Sequence, residues 1–189
     1  MRLPAPFLAV FSVLLVVTSL GASACRPGST PTGSGEATLP DVMPADFAFL
    51  ACYGVGAENQ IDTFKGTFTK DIVSDSKPNP TAELRLTADE LDRLYGDLVR
   101  MHILEYPSQF PAAEDRDPKD GVMVEVTPSL TYLLRIRAAG TEKLISWDDD
   151  ENLMTPRAVA LRAWFDELQN IIQSKPEYKA MPPAEAGYL

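Results

Sequence analysis

The sequence predicts an α+β domain: an antiparallel sheet built from two hairpins, with two helices in the order ββαββα and both helices on one face of the sheet. Two observations lead to this fold. Apolar and polar residues alternate in pairs of short segments, and each pair is followed by a stretch of helical periodicity that begins at a capping residue. With 45% hydrophobic and 23% charged residues, the chain has enough apolar surface for one globular core.

The first predicted hairpin joins a strand over residues 47–53 to a return strand over residues 62–69 through a glycine-containing turn. In the return strand, Phe64 and Phe68 are expected on the apolar side. The residues expected on its opposite side are Thr63, Lys65, Thr67 and Thr69. A further short strand is expected over residues 82–86.

The first predicted helix begins at a capping box. Thr87 can accept a hydrogen bond from the backbone N–H of Glu90, and the Glu90 side chain can reach back to Thr87, while Leu86 staples onto Leu91. The apolar residues at helical spacing are Leu91, Leu94, Tyr95, Leu98 and Met101. This face should pack on the sheet, and the helix should end before Pro107.

The second hairpin and the second helix complete the predicted domain. Strands over residues 130–137 and 143–147 flank a turn, and Thr155 then caps a helix with Pro156 in its first turn. The apolar stripe of this helix consists of Leu161, Trp164, Phe165, Leu168, Ile171 and Ile172. We therefore expect Trp164 to be buried against the sheet.

The N-terminus has the pattern of a cleavable signal peptide over residues 1–24. Arg2 is followed by an apolar run over residues 7–20, which is shorter than the ~20 residues that a membrane span needs. The small residues Ala22 and Ala24 then suit signal peptidase, so cleavage is expected before Cys25.

The string Ala22-Ser23-Ala24-Cys25 resembles the lipobox of bacterial lipoproteins, although Ala22 stands where that family usually has a large aliphatic residue. The resemblance implies that Cys25 receives a diacylglycerol with fatty acyl chains such as palmitate. Ordinary cleavage without a lipid remains the alternative. Cys52, which is the only other cysteine, would pack as a small hydrophobic side chain in the first case and could form a disulfide with Cys25 in the second.

The mature chain is expected to consist of a tether and one domain. Residues 25–44 are rich in Pro, Gly, Ser and Thr and predict a flexible spacer. Residues 45–189 form the predicted α+β domain, with an exposed loop over 106–121 and a Pro-rich tail over 181–189. The order of its elements resembles small lipoproteins of bacterial envelopes, a resemblance that supplies no catalytic motif.

The composition argues against several classes of function. A net charge of −10 makes nucleic acid an unsuitable partner and requires any membrane attachment to come from an anchor. No nucleophile, phosphate-binding or zinc-protease motif is present, and His102 is the only histidine. The sequence therefore predicts no catalytic residue, no metal site and no cofactor.

Two acidic segments have several carboxylates close together in sequence, as cation sites do. Asp115, Asp117 and Asp120 do not have EF-hand spacing, so a solvated loop is favoured over an irregular calcium site. Residues 148–151 could bind a cation or a partner, but acidic residues just before a helix also suit the helix dipole.

The candidate binding face consists of Lys65, Arg135 and Arg137, which are predicted on the polar sides of their strands. A cationic sheet face on an acidic protein could receive an anionic ligand or partner. The alternative is an ordinary solvated face of an antiparallel sheet.

The predicted function is that of an exported envelope protein, anchored to a membrane by its lipid, whose domain binds or organises an envelope protein or polymer without catalysis. The alternative is a hydrolase that cleaves envelope or extracellular polymers with a pair of carboxylates. A deep pocket with two converging carboxylates would favour the hydrolase, and a shallow face would favour the binding protein.

Overall fold

A computed structural model describes residues 38–112, 129–149 and 153–188 of the chain. The predicted signal peptide, Cys25, most of the predicted tether and the acidic segment 113–121 lie outside the described residues. The described strands are β1 (Ala48–Tyr53), β2 (Asn59–Asp62), β3 (Thr67–Thr69), β4 (Thr81–Glu83), β5 (Gln109–Phe110), β6 (Thr131–Ala138) and β7 (Thr141–Asp148). The described helices are α1 (Ala88–Arg100), α2 (Pro156–Ser174) and the short α3 (Pro176–Lys179).

The strands form one sheet in the order β4-β3-β2-β1-β6-β7-β5. All neighbouring pairs are antiparallel except β5 and β7, which are parallel. The α+β class and the largely antiparallel sheet are therefore confirmed. The ββαββα order is corrected, because the return strand divides into β2 and β3, β5 adds a strand and α3 adds a helix in the described chain. β4 overlaps the further short strand expected over residues 82–86.

The first hairpin differs from its prediction because a tight turn divides the return strand. The carbonyl oxygen of Asp62 accepts hydrogen bonds from the backbone N–H groups of Lys65 and Gly66, at 3.2 and 2.7 Å. Gly66 has a φ of +69°, which glycine adopts without a steric cost. Lys65 and Phe64 consequently lie in a turn between β2 and β3 and not on a strand.

The second hairpin is confirmed. β6 and β7 pair along their whole length, from Thr131 opposite Asp148 to Ala138 opposite Thr141. The turn residues Ala139 and Gly140 both have positive φ, as the commonest two-residue hairpin turn requires. Asp46 supports this turn, because its carboxylate accepts hydrogen bonds from both turn N–H groups, at 2.8 and 2.9 Å.

Both predicted helix starts are confirmed in atomic detail. The backbone N–H of Thr87 donates to Glu90 Oε2 at 2.7 Å, and the Glu90 N–H donates to Thr87 Oγ1 at 3.2 Å, which completes the capping box. Thr155 Oγ1 accepts from the N–H of Ala158 at 3.3 Å, and Pro156 is the first residue of α2. All six residues of the predicted α2 stripe are buried, including Trp164.

The core lies between one face of the sheet and the helices. The Phe49 ring on β1 contacts the Trp164 ring on α2 edge to face, with centroids 5.4 Å apart. Leu94 and Leu98 of α1 belong to the same buried cluster. Both predicted helices therefore pack against the same side of the sheet.

Two further segments belong to the domain. Leu39 packs against the core, and the Tyr95 hydroxyl donates to the carbonyl oxygen of Pro40 at 2.6 Å, so the end of the predicted tether is docked on α1. Within the predicted irregular segment, Phe110 of β5 is buried against Trp147, with ring centroids 5.3 Å apart. This apolar contact explains why a two-residue strand forms beside β7.

Candidate functional site

The sheet face turned away from the helices, called the open face below, is defined by strand register. Side chains directly opposite each other on neighbouring strands point to the same side of a sheet. Leu50 lies opposite both Asp62 and Arg135, and Arg135 lies opposite Leu144. Asp62 also lies opposite Thr67, and Thr67 lies opposite Glu83, which extends this row across the sheet. The residues of the row on the open face are Glu83, Thr67, Asp62, Leu50, Arg135 and Leu144. Arg137 and Glu142 lie opposite each other in the neighbouring row.

Phe64 lies on the open face between two arginines. The guanidinium carbon of Arg137 lies 4.8 Å from the centroid of the Phe64 ring, and that of Arg135 lies 5.4 Å from it. Both distances are within the range of cation–π attraction. Phe64, Arg135 and Arg137 together are called the Phe64 site below.

The Arg135 guanidinium is partly neutralised. Its Nη2 atom donates to both carboxylate oxygens of Glu142, at 3.1 and 2.9 Å, while about half of the side chain is exposed. Exposed pairs of this kind are worth about 1 kcal/mol or less. Glu142 therefore occupies one of the donor groups of Arg135, and the other nitrogens donate to no acceptor among the described residues.

The Arg137 guanidinium is held in place without a carboxylate partner. Its Nε donates to the backbone carbonyl oxygen of Asp46 at 3.3 Å, and its charge lies on the Phe64 ring. Among the described residues no carboxylate lies within ion-pair distance of it. Hydrogen bonds from the Gly140 and Ala139 N–H groups lower the pKa of the Asp46 carboxyl, and the nearby Arg137 charge lowers it further.

Lys65 lies in the turn between β2 and β3 and not on a strand, where the sequence predicted it. Its ammonium pairs with the buried carboxylate of Asp62 at 3.0 Å, and its side chain is 61% exposed. The turn at Asp62–Gly66 is the reason, since it removes Lys65 from the strand alternation on which the prediction depended. The structure thus places Arg135 and Arg137 together and adds Phe64, which the sequence had assigned to the core. A glycine two residues after Phe64 is the signal of the turn that was missed.

Cys52 is fully buried in β1, beside Ala57 and Leu133. Its position confirms the strand predicted over this part of the chain. Cys52 is also disulfide-bonded.

The remaining sequence candidates have structural roles or exposed positions. Asp149 accepts hydrogen bonds from the guanidinium of Arg162, at 2.7 and 2.9 Å, so this member of the acidic segment 148–151 connects β7 to α2. His102 follows α1 with its side chain 66% exposed, and its Nδ1 lies 3.8 Å from Glu105 Oε1. In the described part of the chain, no group of three potential ligands could hold a metal ion.

A groove with a volume of about 810 Å³ lies between α1 and α2. Its acidic residues are Asp89, Glu90, Asp166 and Glu167. Glu90 pairs with Lys175 at 2.6 Å, and Glu167 pairs with Arg93, so two of these carboxylates are already engaged by cations. The groove is open to solvent, unlike the deep pocket that a carboxylate-dependent hydrolase would need.

A comparison with models of known protein families and with curated proteins found no match. Within the described ranges, no helix has the length and apolar character that a membrane crossing requires.

Proposed function

We propose that the chain is an exported envelope protein, tethered to a membrane through a lipid on Cys25, whose α+β domain binds an envelope protein or polymer without catalysis. The observation that carries the binding role is the Phe64 site, where two arginines meet on an aromatic ring at an exposed sheet face. Aromatic and arginine side chains supply a large share of the binding energy at protein interfaces.

The hydrolase is less well supported. Its two carboxylates would have to converge without cations that neutralise them, so that one could remain protonated as a general acid. In the α1–α2 groove, burial is the largest single effect on the pKa of Glu90 and raises it, but the hydrogen bonds from Lys175 and Thr87 and the Lys175 charge together hold it below its ordinary value. A lowered pKa disfavours the protonated form that a general acid requires.

The proposed export is supported by the sequence and by one structural observation. Residues 1–24 have the pattern of a signal peptide, and the disulfide at Cys52 suits an oxidising compartment outside the cytosol. Cys25 is the only other cysteine of the chain, so within one chain the disulfide at Cys52 would use the sulfur that the lipid requires, and it counts against the anchor. An exported protein with the disulfide and without the anchor is therefore the second candidate.

Affinity capture from native membranes tests the binding role. The wild-type chain is compared with a double charge reversal of Arg135→Glu and Arg137→Glu, and with the matched reversal of Arg93→Glu and Arg100→Glu on α1. We expect the first variant to lose the partner that the wild type captures and the second to retain it. Circular dichroism confirms folding, and Gln substitutions replace the reversals if these unfold the chain. Equal capture by all folded variants would contradict the proposal.

A further inference from the structure

We propose that the Phe64 site recognises a short extended peptide segment with carboxylates at alternate positions, and that Arg137 is its primary anion-binding residue. This inference rests on the proposed binding role of the open face. It adds the chemical class of the ligand and the order in which the two arginines engage it.

Arg137 is pre-arranged to bind an anion. The guanidinium carbon lies over the Phe64 ring, and Nε donates to the Asp46 carbonyl oxygen. The Arg137 side chain is therefore already ordered and loses little rotamer freedom when it binds a ligand. The two terminal amino groups donate to no acceptor among the described residues. A planar carboxylate that accepts from these groups would form a charge-assisted hydrogen bond at a site that is already ordered.

The Glu142 carboxylate shows that such a group fits at this face. Glu142 is the cross-strand neighbour of Arg137, yet its oxygens accept from Arg135, the diagonal residue. A carboxylate that accepts from Arg135 is thus compatible with the packing at the Phe64 site. Because Glu142 uses only Nη2 of Arg135, the remaining donors of Arg135 are available to a second carboxylate of the ligand.

The spacing of the arginines favours an extended peptide. Arg135 and Arg137 are two residues apart on β6, which separates their Cα atoms by about 6.6 Å. Alternate residues of an extended peptide have the same spacing and point to the same side. Carboxylates at positions i and i+2 can therefore meet the two guanidinium groups together.

The overall charge of the chain favours a short segment. With a net charge of −10, the domain repels a long polyanion, so binding depends on the local pairs and not on long-range attraction. A segment with two carboxylates gains the local hydrogen bonds while adding little repulsion.

Binding of two synthetic pentapeptides to the purified chain tests the inference. One is acetyl-Thr-Glu-Thr-Glu-Thr-amide, and the other is its isomer acetyl-Thr-Glu-Glu-Thr-Thr-amide, measured by NMR titration at low ionic strength. The adjacent glutamates of the isomer point to opposite sides when extended, so we expect it to bind about two- to fivefold more weakly. Arg137→Gln should weaken the alternating peptide by about tenfold, because a charge-assisted hydrogen bond is lost.

A gain of affinity separates this role from a structural one. Glu142→Gln removes the competing carboxylate and frees Arg135, so the alternating peptide should bind about two- to fivefold more tightly, while the isomer changes little. Arg100→Gln on α1 is the matched control and should change neither affinity.

The inference is overturned if the two peptides bind equally, if neither binds, or if a folded Arg137→Gln variant binds as the wild type does. These failures are distinguishable from failure of the proposed function. If membrane capture still depends on the open face when the peptide tests fail, the binding role stands and only the ligand class is wrong.

Discussion

The indole N–H of Trp164 donates to the backbone carbonyl oxygen of Leu94 at 3.1 Å, which joins the centre of α2 to the centre of α1. Trp164 is 1% exposed, and its ring also contacts those of Phe49 and Phe165. One side chain thus connects both helices to the sheet. The helices therefore depend on each other and on β1 for their packing.

Trp164→Ala should lower the free energy of unfolding by about 3–5 kcal/mol, because it leaves a cavity where both helices meet the sheet. Urea denaturation monitored by far-ultraviolet circular dichroism measures this loss. A decrease below about 1 kcal/mol would show that α2 is peripheral to the core.

The two tryptophans should respond differently to replacement by phenylalanine. Trp147 is fully buried, and its Nε1 has no hydrogen-bond partner in the described structure, whereas Trp164 Nε1 is bonded to Leu94. Trp147→Phe removes a buried donor that makes no hydrogen bond, whereas Trp164→Phe removes the hydrogen bond to Leu94. Trp164→Phe should therefore lower the free energy of unfolding by about 1–3 kcal/mol more than Trp147→Phe does. Equal losses in matched denaturation curves would contradict this assignment of the hydrogen bonds.

Removal of one partner of the Asp149–Arg162 pair should strongly destabilise the domain. The Asp149 side chain is 2% exposed, and the Arg162 guanidinium also donates to the Leu153 carbonyl oxygen at 2.8 Å. Asp149→Ala removes a buried carboxylate that accepts three hydrogen bonds from Arg162, so we expect a loss of about 3–5 kcal/mol. The double variant Asp149→Ala, Arg162→Met should lose much less than the two single losses together. Additive losses would show that the two residues do not interact.

The interaction of Lys175 with Glu90 should make stability depend on pH. Burial alone would raise the pKa of Glu90, but the hydrogen bonds from Lys175 and Thr87 hold it below its ordinary value of 4.5. The resulting stabilisation is complete above that value and is lost as the pH falls through the lower folded pKa.

Lys175→Met should therefore destabilise the domain by about 1 kcal/mol at neutral pH, and the difference from wild type should shrink below pH 4.5. Denaturation curves between neutral and acidic pH measure the difference. Lys179→Met, which alters an exposed lysine in the neighbouring helix, is the control and should show no such trend. A difference that grows on acidification would contradict the sign of the Glu90 shift.

Intact mass spectrometry of the mature chain distinguishes the anchor from the disulfide. The proposed lipoprotein begins at Cys25 and carries acyl chains, and Cys25→Ala should release it from the membrane fraction. A chain without acyl groups that gains two hydrogens on reduction would instead have the Cys25–Cys52 disulfide. That result would remove the anchor while leaving export and the binding role open.

The local elements whose causes lie within a few residues could be predicted from the sequence alone. The capping box at Thr87 and Glu90, the proline start of α2 and the β6–β7 hairpin follow from hydrogen bonds and backbone preferences of neighbouring residues, and all are confirmed. The buried stripes of α1 and α2 follow from periodicity alone, because only one face of each helix can reach the sheet.

The strand order and the composition of the Phe64 site could not be predicted without the tertiary structure. The turn at Gly66 interrupts an alternating pattern that is continuous in the sequence. β5 forms only because Phe110 packs on Trp147, which is distant in sequence. Phe64 is as apolar as Phe68, but the turn places it beside Arg135 and Arg137 on the open face. Such placements depend on contacts between distant segments, whose relative positions are set by packing and not by local preference.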